Sequence, residues 1–137
     1  MSMSNATENA TLKMHLQGTD PSYRSAATQY LALVSLASPD EADPLASELT
    51  YTGYARVALT KASAWTDNGS NFTNAALIQF GKRTDAGATQ TGRAVVVVDT
   101  ASGAVNQAII AALAAELAIN QNIQPQIAAG DLTIAAD

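Results

Sequence analysis

Residues able to do chemistry are few in this chain, and they are scattered. It carries one histidine, His15, and no cysteine, which removes thiolate nucleophiles and leaves at most one imidazole for proton transfer. Zinc sites draw most of their ligands from those same two residue types, so no metal centre is expected. His15 sits beside Leu16 in a stretch that reads as helix. Catalysis there would require the fold to bring a carboxylate or a nucleophile to it. Carboxylates gather only at Asp40, Glu41 and Asp43, bracketed by Pro39 and Pro44. That spacing lacks the glycine turn and terminal bidentate glutamate of a calcium loop. It also has no aromatic platform beside it in sequence to serve a glycosidase, and it reads as a solvated loop. Neither a P-loop, nor a dinucleotide fingerprint, nor a G-x-S-x-G elbow occurs. No catalytic residue and no cofactor is expected, and the chain reads as a non-enzyme.

The remaining chemistry is that of surfaces. Arg56 stands between Tyr54 and Val57, as an outward-facing strand residue or as half of an interfacial ion pair. Trp65, the only tryptophan, heads a polar loop and is either a core plug or a ligand platform. With Tyr51, Tyr54, Lys82 and Arg83 these form the set of candidate interface residues. Charged residues make up only 14% of the 137 positions, and the formal charge is -5. A charge-poor surface suits coverage by partners, whereas net acidity opposes the phosphate contacts that nucleic acid requires. No apolar run reaches the roughly 18 residues of a membrane span, and no secretory leader is visible in MSMSNATENATLK. Neither nucleic acid nor membrane is an expected partner.

The elements that must hold these residues follow from local pattern. A helix over residues 5–17 is expected, capped by Ser4 or Asn5, closed at Gly18, and carrying one modest apolar side through Leu12 and Leu16. Thr28–Leu36 reads as a central strand apolar on both faces. Tyr51–Thr60 reads as a strand entered through a bend at Gly53, and Phe72–Phe80 as another. Lys82–Gly92 is a long polar connection, an interaction loop or a mobile one. Val95–Val98 suits a strand buried on both faces, followed by the turn Asp99–Gly103. Ala104–Ile119 is open: its alanines and the spacing of Ile109, Ile110, Leu113 and Leu117 favour helix, while Val105, Ile109, Leu113 and Leu117 also share strand parity. Gly130–Ile134 supplies a last short strand. One helix followed by many short strands with turn signals predicts a mainly β protein, a single antiparallel β-sandwich over residues 1–137, jelly-roll-like, with a short N-terminal α-helix.

Taken in order, several short segments resemble a family of small tailed-bacteriophage virion proteins, often described as tail fibre or minor structural proteins. They are YLALVSL with the acidic SPDEADP loop, Glu48, the G-Y-A-R of Gly53–Arg56, the D-T-A-S-G turn, and the terminal I-x-P-x-I-x-A-G-x-L-x-I of Ile123–Ile134. The chain departs from that pattern at Gln107–Ala115, which is Ala/Ile/Leu, and at the four valines. The resemblance implies a β-rich fold, and so tips Ala104–Ile119 toward strand, broken near Ala114–Glu116. It also implies a virion structural protein, assembled in the host cytoplasm. The leading expectation is a capsid decoration or cement protein that bridges major capsid protein subunits as a homo-oligomer. The alternatives are a tail-associated fibre, collar or baseplate accessory, or a receptor- or carbohydrate-binding module using Trp65, Tyr51 and Tyr54.

Overall fold

The structure is a computed structural model and describes residues 2–135. It opens on a two-residue strand, β1 (Ser2–Met3), and a helix, α1 (Asn5–Gln17). Ser4 caps that helix by accepting the Thr7 N–H, and Gly18 closes it in the left-handed conformation, φ 66°. The strands β2 (Thr28–Val34), β3 (Val57–Thr60), β4 (Trp65–Asp67), β5 (Asn71–Asn74) and β6 (Ile78–Gln79) follow. The chain then makes a long hairpin of β7 (Gln90–Val98) and β8 (Ala108–Ile119), and ends with β9 (Gln126–Ile127) and β10 (Thr133–Ala135). The fold is the expected mainly β, antiparallel sandwich with one short helix.

Its central layer is a five-stranded sheet in the order β1-β8-β7-β2-β3. Two small sheets, β10-β5-β4 and β6-β9, form the second layer. Leu31 and Leu33 on β2, Val95 and Val97 on β7, and Ala111 on β8 project toward that layer, where they meet Ile78, Phe80, Ile127 and Leu132. The opposite face carries Ala32, Val34, Ala94, Val96, Val98 and Ile110, with Leu45 and Val105 packed on it. The valine run is therefore buried on both faces, as its continuous apolar character requires.

Ala108–Ile119 is strand, and its ladder is interrupted within the segment where a break is expected. Ala112 pairs with Ala94 and Leu117 with Gly92, so Leu113–Glu116 bulge opposite Arg93. Three other expectations need correction. Only Val57–Thr60 of the Tyr51–Thr60 segment is strand, because the chain turns at Gly53 (φ 103°) with Tyr54 N–H bonded to Tyr51 C=O. Phe72–Phe80 splits into β5 and β6 in different sheets. Buried Asn74 ends β5, its amide donating to Ala76 and Ala128 carbonyls and accepting from Leu132 N–H. Finally, the apolar side of α1 faces solvent: Leu12 is 59% and Leu16 79% exposed, and Thr7 is the buried residue of this helix.

Candidate functional site

Four of the segments that carried the family resemblance converge in space. Glu48 and Arg56 form a bidentate pair: Arg56 Nε donates to Oε1 (2.8 Å) and Nη2 to Oε2 (2.9 Å). Tyr54 donates its hydroxyl to the same Glu48 Oε1 (2.8 Å) while accepting the Leu33 N–H of β2 (3.0 Å). From the other side Arg56 donates to Thr100 C=O (3.0 Å) and Gly103 C=O (3.0 Å), gripping the β7–β8 turn. Asp99, at the head of that turn, accepts from Asn106 and Gln107 N–H groups and holds the turn closed. The GYAR segment, Glu48, the edge of YLALVSL and the D-T-A-S-G turn are thus one polar cluster, with the Arg56 side chain only 4% exposed.

Electrostatics follow from that burial. Desolvation alone would raise Glu48, but the hydrogen bonds from Arg56 and Tyr54 and the Arg56 charge outweigh it and hold Glu48 below the usual carboxylate range. Asp99 is held low in the same way, burial being outweighed by the N–H donors of Gln107 and Asn106. Burial pushes the Tyr54 phenol up, and the neighbouring Glu48 charge adds to it. A cleft of about 680 Å³ runs past the cluster between the α1 N-terminus and the acidic loop. Glu41, Asp43 and Glu48 line it, a poor setting for an anion.

A second cluster adjoins the first through the Tyr51–Tyr54 turn. Arg83, 1% exposed, donates to Asp85 Oδ1 from Nε (2.9 Å) and to the Ile119 (2.7 Å) and Ala88 (2.9 Å) carbonyls from Nη1. Asp85 in turn accepts from Thr52 N–H (2.7 Å) and Gly87 N–H (3.0 Å). The hydrogen bonds from Arg83, then that from Thr52, hold its carboxyl well below the ordinary range. Tyr51 donates to Gly81 C=O (2.8 Å) and packs edge-on against Tyr54, 5.5 Å between ring centres. Burial raises its phenol to about 12.

Of the six candidate interface residues, five therefore gather around this turn. Tyr51, Tyr54, Arg56 and Arg83 spend their polar groups on internal partners. Lys82 alone of the five is exposed. The long polar connection is neither free nor empty of structure, because buried Arg83 fastens it to the end of β8. Trp65 lies apart, half-buried on β4 in a groove between the two layers. His15 is exposed on the last turn of α1, and among the described residues no three His, Cys, Asp or Glu side chains are placed to hold a metal ion. Asp99 was legible as the acceptor at the head of its turn, whereas nothing in the sequence marked Asp85 or Asn74, whose value lies in where distant backbone donors arrive.

A family model described as podophage GP4 fiber I protein gp80 matches residues 2–135. The chain belongs to this podophage fibre I family. No curated protein matches it. The match spans the described structure from β1 to β10, so both polar clusters and both layers lie within the fibre I unit. Membership makes the chain a structural protein of a tailed-phage virion, associated there with other virion proteins.

Proposed function

We propose that this protein is a tail-associated structural component of the virion, a fibre element without enzymatic activity. The observation that carries the reading is the fibre I match over residues 2–135, which favours the tail over the capsid-decoration role that led the expectations from sequence. The architecture suits a static part. Tyr54, Arg56 and Arg83 direct their hydrogen bonds to internal carboxylates and backbone carbonyls, so the clusters lock loops together instead of presenting a nucleophile beside a free base. Arg56 joins β3 to the β7–β8 turn, and Arg83 joins the β6–β7 connection to the end of β8. A component that transmits load along a fibre benefits from such cross-links between loops far apart in sequence.

Several copies per virion, associated with one another as well as with other virion proteins, complete the proposal. Exposed Leu36, Leu77 and Ile123, with Leu12 and Leu16 on α1, offer apolar area on a surface poor in charge. Antibody labelling of intact virions, or averaging of virion images with and without the protein, tests the placement. Label or density on the tail is expected. Regular density across the capsid lattice would overturn it and restore the decoration role.

A further inference from the structure

β8 is the longest strand of the protein, and its side away from β7 is covered only in part. β1 reaches Ile109 and Ile110 and stops there, while at the far end Ile119 C=O receives Arg83. Between these points, among the described residues, no strand flanks Ala112–Ala118 on that side and no group outside the sheet hydrogen-bonds their backbone. The bulged residues Leu113–Glu116 have no register partner on β7 either. The remaining edge strands are only two to four residues long. Shortness is one protection of a sheet edge against further pairing, and lysine or proline is another. Ala112–Ala118 has none of these. Its one charge, Glu116, is held by Arg93 Nε at 2.7 Å. The sequence of the edge is also nearly its own reverse: ALAAELA reads alike in both directions except at Ala114 and Glu116.

We propose that this edge pairs antiparallel with the same edge of a second copy, about a twofold axis at Ala115, and joins two five-stranded sheets into one. The inference rests on the association of copies proposed above and gives it a surface. In that register Ala112 faces Ala118 of the second copy, Leu113 faces Leu117, and Ala115 faces its own equivalent. Glu116 faces Ala114, so the two carboxylates do not oppose each other. Leu113 and Leu117 are half-buried against the core between the layers, and setting one beside the other continues that apolar layer across the seam. Exposed Ala112, Ala114, Ala115 and Ala118 leave no bulk to hold a second strand away. Backbone pairing alone would admit a strand of any virion protein. A sequence that matches its own reverse is needed only where the partner is the same segment, as a twofold interface requires.

The full chain is measured by light scattering and sedimentation over a range of concentrations, and a reversible dimer is expected. Ala115 is exposed and has no partner on β7, so Ala115→Lys and Ala115→Glu should each keep the unfolding midpoint of the dilute wild-type chain. Each variant sets like charges opposite one another at the axis and should weaken the dimer about tenfold or more. An equimolar mixture of the two should recover it, because opposite charges then meet. That rescue distinguishes pairing at Ala115 from a disturbed surface. A mixture that stays monomeric while both variants are monomeric would overturn the proposal. An oligomer that neither variant weakens would overturn the edge pairing and leave the association of copies standing at another surface. A wild-type chain that is monomeric at every concentration would overturn both.

Discussion

Arg56 shows how much of the molecule one guanidinium can hold. Its fork matches the Glu48 carboxylate on one edge and two turn carbonyls on the other, a geometry that a lysine ammonium cannot reproduce. Arg56→Ala leaves Glu48 half-buried without its counter-charge, and an expected loss of about 3–5 kcal/mol is measurable by urea unfolding. Arg56→Lys should recover only part of it. Acid adds an independent check. Glu48, Asp85 and Asp99 all have folded pKa values below their unfolded ones of about 4. Their contribution is therefore fully present above that pH and is lost as pH falls through the lowered folded values. Unfolding midpoints should be flat from pH 7 to about 5 and fall below about 4, less steeply in Glu48→Gln, which lacks one of the three groups. In the sequence Arg56 was visible as an isolated charge and Arg83 as a candidate interface residue, but neither as an interior one. Three of their partners are backbone carbonyls 36 to 47 positions away, and backbone groups leave no residue-type signal.

At the level of elements, local preference and tertiary setting compete most openly in Ala108–Ile119. Twelve residues rich in alanine and leucine adopt strand because β1 and β7 flank them and because Ala108, Ile110 and Ala111 fill space against the sheet's two neighbouring layers. The bulge at Leu113–Glu116 is the place where the ladder gives way. β2 and the valine strand follow directly from short apolar runs that need cover on both faces, and the cap residues of α1 from Ser4 and Gly18. Pattern failed where one side chain ends a strand, as Asn74 does, or where a helix carries leucines that nothing covers. Two predictions belong here. A Cβ at Gly53 would lie 2.2 Å from the Lys82 carbonyl oxygen, at a φ of 103°, so Gly53→Ala should cost on the order of 3 kcal/mol, read as a lowered denaturation midpoint. Leu12→Ser with Leu16→Ser should change stability by no more than about 0.5 kcal/mol, because both side chains already face solvent. A larger loss in the isolated protein would mean that α1 is covered by another copy.

Across the whole molecule, the layers are assembled from segments far apart in sequence. β1 pairs with β8, and the last strands β9 and β10 return to complete the sheets begun by β6 and β5. The second layer thus depends on the final segment of the chain, which supplies Ile127 and Leu132 to the core and the Pro125 carbonyl that receives Phe80 N–H. Such non-local closure is slow to form but leaves few loose ends once made. A chain ended at Gln124 keeps every strand of the central sheet, yet leaves Leu31, Leu33, Val95 and Phe80 without their cover. Loss of the cooperative thermal transition and of near-ultraviolet circular dichroism is expected, with dye binding to the exposed apolar face. The double serine variant of α1 is the control, since it alters as exposed a region without opening the core. A truncated chain melting within about 5 °C of the full one would show that the central sheet and its loop clusters suffice, and would move the source of stability from the sandwich to the Arg56 and Arg83 cross-links.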